Sequence, residues 1–179
     1  MDMTNWSAPS HDRPRGVTIL GSTGSVGQST VDLIARDPES YRVEALVAGN
    51  SVEALAEQAR RLRARLAVVA NPQRYRALKD ALVGTSIEVA AGPEAVVEAA
   101  TRPAEWVMAA IVGFAGLEST LVAARRGAMV ALANKEALVC AGRLLMDAVE
   151  TAGGVLLPVD SEHNAIFQVL EPRDRKSVV

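Results

Sequence analysis

From Val17 onward, apolar residues fall into two alternating textures. Short, nearly unbroken apolar runs stand at Val17–Leu20, Arg42–Ala48, Leu66–Ala70, Ile87–Ala90, Trp106–Ile111, Ala128–Leu132 and Val155–Val159. Between them lie longer amphipathic stretches: Ser25–Arg36, Val52–Leu62, Gln73–Leu82, Glu94–Ala99, Gly116–Arg126 and Lys135–Thr151. In the second of these, Leu55, Ala59 and Leu62 recur at helical spacing, while Glu53, Glu57, Arg60 and Arg61 take the opposite face. Strands that read as continuous apolar runs belong to a sheet covered on both faces. Strict strand–helix alternation implies parallel crossovers, so the pattern predicts an α/β fold with a doubly wound, mostly parallel sheet.

The first 15 residues are polar, contain Pro9 and Pro14, and lack the apolar core of a signal peptide. They read as a mobile tail, which makes the cytoplasm the expected compartment. A boundary is expected near Thr151–Gly154, where Gly153-Gly154 suits a left-handed helix end. The segment VLLPVDSEHNAIFQ then reads as a strand, a polar turn and a helix start, and the chain stops soon after. The expected organisation is a tail (1–15), a first domain (16–152) and the beginning of a second, α+β domain (153–179), with the whole being the front part of a longer protein.

Composition narrows the chemistry. Of 179 residues, 49% are hydrophobic but only 3% aromatic, so a core is expected and must be built from Ala, Val, Leu and Ile. Lys+Arg 19 against Asp+Glu 21 leaves no basic surplus, which argues against broad nucleic-acid or anionic-membrane binding. No apolar run is long enough for a membrane span. The single cysteine, Cys140, excludes an internal disulfide and a cysteine-based zinc cluster. It stands inside a helical stretch among Leu138, Val139, Leu144 and Leu145, a setting that predicts a core residue rather than a nucleophile.

The first apolar run leads into Gly21-Ser22-Thr23-Gly24-Ser25-Val26-Gly27. This is G-x-x-G-x-x-G rather than G-x-G-x-x-G, with the same physics. Glycines allow a tight turn and close backbone approach, and the following helix start offers N–H groups and a favourable dipole to a pyrophosphate. Thr23 and Ser25 add hydroxyls; a purely structural turn is the alternative. The second run ends Gly49-Asn50-Ser51 without the acid that would hold a ribose 2′-hydroxyl. That absence favours NADP. No arginine stands there, so the sequence permits this choice without requiring it, and the same residues suit a turn and a helix cap.

Three later strand ends carry candidate chemistry. Small residues around Ala110 and Ile111 would let a nicotinamide lie against the backbone, or simply pack closely. Asn134-Lys135-Glu136 opens a helix directly after an apolar run. Lys135 is unfavourable at a helix N-terminus by about 0.3–1 kcal/mol, which favours a functional reading over a capped helix start. Asp160-Ser161-Glu162 places two carboxylates two residues apart at a strand end, suited either to a hard divalent cation or to a cap with an acidic first turn. His163 next to them and His11 in the tail add no separate signal.

Together, ILGSTGSVGQSTVDLI, ALVAGN, VMAAIVGFAGL, ALANKEALV and LLPVDSEHNAIFQ closely resemble the 1-deoxy-D-xylulose 5-phosphate reductoisomerases, over about Val17 to Leu170. The resemblance implies a Rossmann-like NADPH domain and the start of a catalytic domain. It implies isomerisation of 1-deoxy-D-xylulose 5-phosphate and NADPH reduction to 2-C-methyl-D-erythritol 4-phosphate in non-mevalonate isoprenoid biosynthesis. A divalent cation (Mg²⁺, Mn²⁺ or Co²⁺) and a homodimeric assembly are also implied. By matched position, Gly21, Thr23, Gly24, Ser25 and Val26 would line the NADPH pyrophosphate, and Gly49, Asn50 and Ser51 its 2′-phosphate end. Ala110 and Ile111 would lie near the nicotinamide, Asn134 and Glu136 would contact NADPH, and Lys135 the substrate. Asp160 and Glu162 would ligate the metal, with Ser161 and Glu162 touching the substrate. Family members are substantially longer, so this chain is expected to hold NADPH with little or no turnover alone. The competing expectations are a non-catalytic NADP-binding fragment or sensor, and another NADP-dependent oxidoreductase such as a semialdehyde dehydrogenase.

Overall fold

The computed structural model describes residues 13–159. Seven strands alternate with six helices: β1 (Arg15–Leu20), α1 (Ser25–Arg36), β2 (Tyr41–Ala48), α2 (Val52–Arg61), β3 (Leu66–Val69), α3 (Tyr75–Ala81), β4 (Glu88–Ala91), α4 (Pro93–Thr101), β5 (Trp106–Ala109), α5 (Leu117–Arg125), β6 (Met129–Leu132), α6 (Lys135–Ala152) and β7 (Val155–Pro158). The strands form one sheet in the order β4-β3-β2-β1-β5-β6-β7, and every pairing is parallel. The chain winds outward from β1 in one direction and then, after β4, returns to the other side through β5. The order therefore reverses between β1 and β5, and a crevice opens there at the carboxyl ends of the strands.

Alternate strand residues feed two cores, as a doubly covered sheet requires. Leu20, Val47, Val68, Val107 and Val130 pack against α4, α5 and α6 through Ala99, Ala124 and Leu145. Ile19, Leu46, Val69, Met108 and Ala131 pack on the other face against α1, α2 and α3 through Ile34, Leu55 and Leu78. Alanines dominate the helix contacts on the first face, while Val31, Ile34, Leu55 and Leu78 dominate on the second, and together they supply the low-aromatic core expected from composition.

One strand departs from the expected uninterrupted apolar run. The β1–β2 register jumps from Val17↔Val43 to Thr18↔Ala45, so Glu44 is the extra residue of a bulge. It is almost wholly buried, yet is bonded by Arg42 Nε at 2.5 Å and by Arg65 Nη1 at 3.2 Å. These arginines carry the buried carboxylate's charge towards the surface at the edge opposite the crevice.

Val155–Pro158, in the segment expected to open a second domain, pairs in parallel with β6 and forms one edge of this sheet. The expectation for Cys140 is corrected, because the thiol is exposed. The buried row of α6 runs through Ala137, Leu145 and Val149. Cys140 lies five residues before Leu145, about 140° around a regular helix, and the backbone is non-helical at Ala141 (φ −142°, ψ 25°). Val139, 83% exposed, and Leu144, 49% exposed, share this outward position. Apolar neighbours in sequence were therefore misleading about burial.

Candidate cofactor site

The crevice starts at the turn after β1. The Gly21 and Ser22 N–H groups both donate to the Val47 carbonyl, at 2.9 and 2.8 Å, and so pull the turn over the end of β2. Gly21 has φ +90°, and a Cβ there would stand 2.6 Å from the Ala110 carbonyl oxygen. Gly27, the third glycine, leaves no room either: a Cβ would lie 2.7 Å from the Ser22 backbone and closer still to the Gly21 carbonyl. The first glycine thus brings the turn against β5, and the third brings α1 against the turn. Gly24 has a different role. It occupies the N-cap of α1 with no side-chain cap, and the first turn of α1 carries no acid. That helix start offers its N–H groups and positive dipole end uncompensated, as an anion site requires. Gly24, Ser25 and Val26 are exposed there and Thr23 is half-buried, while Ser22 is fully buried with an unpartnered hydroxyl.

The turn after β2 lies beside this loop. Gly49, Asn50 and Ser51 are exposed, and a Cβ on Gly49 would meet open space. Ser51 occupies the N-cap of α2, yet its hydroxyl makes no capping bond. Gln58, two turns along α2, donates from Nε2 to the Ser22 carbonyl at 3.0 Å and so ties α2 to the glycine loop.

On the other side of the crevice, the Ala110 N–H donates to the Leu20 carbonyl and the Ala133 N–H to the Ala109 carbonyl, extending the ladder past the strands. Ala110 and Ile111 are half-buried beside Gly21. Asn134, 2% exposed, is the N-cap of α6. Its Oδ1 accepts from the Ala137 N–H, and its Nδ2 donates to the Ile111 carbonyl at 2.6 Å and the Gly113 carbonyl at 2.9 Å. Both amide hydrogens are therefore spent on the 111–113 loop. Gly116 completes this knot, since a Cβ would sit 2.6 Å from the Ile111 oxygen. Lys135 and the exposed Glu136 follow in the first turn of α6.

Because all strands are parallel, the residues after β1, β2, β5 and β6 meet at one edge. The glycine loop and the α6 start are two strand spacings apart, roughly 10 Å. The Asp160, Ser161 and Glu162 expectations lie outside the described residues. Among the described residues no cluster of three or more His, Cys, Asp or Glu is arranged to hold a metal ion, and no helix is long and apolar enough to cross a membrane.

Sequence reasoning missed Gln58, and it also missed Asn71. Parallel pairing of β3 with β2 brings Asn71 beside the Gly49–Ser51 turn. Asn71 N–H donates to the Gly49 carbonyl at 3.1 Å. The exposed Arg74 ends the 3-10 turn that follows.

A glycine turn and an uncapped helix N-terminus at the switch point of a doubly wound parallel sheet define the class: a Rossmann-type α/β domain. More particularly, the model of the family described as 1-deoxy-D-xylulose 5-phosphate reductoisomerase matches residues 17–142, and the chain belongs to that family. It is 67% identical over 167 residues to the reductoisomerase of Rhodospirillum centenum, covering 93% of this chain and 42% of that relative. It is 60% identical to the one from Rhizobium meliloti, covering 96% and 44%. Among solved structures it resembles the Zymomonas mobilis reductoisomerase in complex with NADPH, with TM-score 0.89, 56% identity, and coverage of 92% of this chain and 43% of that one. A second such enzyme, in complex with NADPH, fosmidomycin and magnesium, matches with TM-score 0.85 and 38% identity over 90% of this chain and 40% of that one. The chain spans less than half the length of these relatives.

Proposed function

We propose that this chain is the NADPH-holding portion of a 1-deoxy-D-xylulose 5-phosphate reductoisomerase. The observation that carries the proposal is the cradle at Gly21, Gly24 and Gly27, where two close backbone approaches flank an uncapped helix start. Thr23, Gly24, Ser25 and Val26 bind the pyrophosphate through backbone N–H groups and hydroxyls. Gly49, Asn50 and Ser51 take the 2′-phosphate, since neither side chain there is acidic and the Ser51 hydroxyl is not consumed by its helix. Ala110 and Ile111 form the small-residue wall for the nicotinamide.

Asn134 serves this wall from behind, because its amide hydrogens hold the 111–113 carbonyls and its oxygen starts α6. Glu136 lies on the cofactor's nicotinamide side. Lys135, the first residue of α6, is the proposed contact to the phosphorylated ketose substrate. NADPH, when bound, supplies the hydride for reduction of the rearranged aldehyde. The chain's own residues orient that cofactor, and the 111–113 wall excludes water from one side. Asp160 and Glu162 are the proposed metal ligands, with Ser161 and Glu162 at the substrate. A lone 179-residue chain is expected to bind NADPH with little or no turnover.

Hydrogen–deuterium exchange with and without NADPH tests this placement. Slowed exchange is expected in 22–27, 49–52 and 110–113, with little change in β3–α3 beyond residue 75. Protection confined to other segments would overturn it. Adding Mn²⁺ and 1-deoxy-D-xylulose 5-phosphate should produce no NADPH oxidation comparable to that of a full-length relative.

A further inference from the structure

The turn proposed to receive the 2′-phosphate has a fixed hydrogen-bond polarity, and that polarity originates one strand away. Asn71 follows β3, and its backbone is held beside the turn by the N–H bond to Gly49. Its side-chain oxygen accepts from the Gln73 N–H at 3.0 Å, which starts the 3-10 turn Pro72–Arg74. A backbone N–H can be met only by the amide oxygen, so the Asn71 nitrogen must face the other way. There it donates to Asn50 Oδ1 at 2.8 Å. A nitrogen donor can in turn be met only by an oxygen, so Asn50 must present its oxygen to Asn71 and its own NH₂ group away from it. No hydrogen bond from Asn50 Nδ2 to another described residue is formed. The chain of bonds is unambiguous from end to end, because it starts at a backbone N–H that cannot flip.

We infer that Asn71 is a positioning residue for cofactor specificity: it locks Asn50 as a hydrogen-bond donor at the 2′-phosphate end. A phosphate dianion only accepts hydrogen bonds, so a donor-only presentation complements it. A ribose 2′-hydroxyl also donates, and sites selective for it supply an acceptor. Without Asn71, the Asn50 amide turns freely and offers either end. The inference rests on the reading that the Gly49–Ser51 turn holds the 2′-phosphate of NADPH.

Two variants separate polarity from charge. Asn71→Ser keeps an oxygen for the Gln73 N–H but is too short to hold Asn50, and it adds no charge. Asn71→Asp also keeps that oxygen, but accepts from Asn50 and so reverses its amide. Affinities for NADPH and NADH are measured by fluorescence titration on the chain, with thermal melts confirming folding. The expected result is that Asn71→Ser lowers NADPH affinity about fivefold and Asn71→Asp by more than about tenfold, of the order of one charge-assisted hydrogen bond, while NADH affinity stays within about twofold of wild type for both. A merely structural role would lower both affinities together, and would overturn the inference. Loss of preference in Asn71→Asp alone would show that only charge acts, which overturns it also. Wild-type protein with no preference for NADPH over NADH removes the underlying reading and the inference with it.

Discussion

Gly21 and Ala110 are in such close backbone contact that a methyl group on Gly21 would stand 2.6 Å from the Ala110 carbonyl oxygen. The contact spans the reversal between β1 and β5, and it leaves no room for a side chain at Gly21. Gly21→Ala meets both this clash and a φ of +90°. We expect a loss well above about 1 kcal/mol in thermal or denaturant unfolding, together with loss of NADPH binding.

Gly24→Ala provides the contrast. Gly24 has φ −76°, and the nearest atom to a Cβ there is 3.5 Å away. Stability should stay within about 0.5 kcal/mol of wild type. NADPH affinity should nevertheless fall severalfold, because the new methyl stands at the mouth of the helix start. Equal NADPH affinity in Gly24→Ala and wild type, by fluorescence titration, would argue against a pyrophosphate seated there.

Asn134→Ala removes both donors to the 111–113 loop and the α6 cap. Two carbonyls and one N–H lose partners in a mostly buried setting, each costing about 1–3 kcal/mol at most. We expect a loss of about 2–4 kcal/mol in chemical denaturation, and faster amide exchange in 111–116. Unchanged exchange in that loop would show that the asparagine does not hold it.

The Glu44 bulge should show strong non-additivity. Arg42 and Arg65 each bond the same buried carboxylate. Removing one should cost under about 1 kcal/mol, because the other remains. Removing both strands a buried charge, and the double variant should lose about 3–5 kcal/mol. Additive losses in a double-mutant cycle would contradict this sharing.

Cys140 is exposed on α6. The native chain should therefore titrate one thiol with a disulfide reagent without denaturant, and NADPH affinity should survive the modification. A thiol that reacts only after unfolding would restore the buried assignment.

The repeated strand–helix rhythm made the fold legible, because each buried strand is a compositional block and each helix a periodic one. Ser25–Arg36 coincides with α1 at both ends, since a glycine loop and Asp37 bracket it. The glycine turn and the Gly49–Ser51 turn were legible because each directly follows its strand. Asn71 was not, because its place beside Asn50 depends on the β2–β3 register and nothing local marks it. Glu44 was hidden by a bulge, which sequence alternation does not reveal. Cys140 was misread because burial follows the angular phase around α6, and its apolar neighbours Val139 and Leu144 are themselves turned outward, with Ala141 disturbing that phase further. Asn134 was legible as a residue of interest, but its two carbonyl partners come from a loop 21 and 23 residues earlier.

Calorimetric titration of the folded chain with NADPH, and separately with NADH, bears most directly on the whole reading. We expect saturable binding of one NADPH per chain and markedly weaker binding of NADH. A chain with native circular dichroism that gives no heat with NADPH, or binds both coenzymes equally, would contradict it.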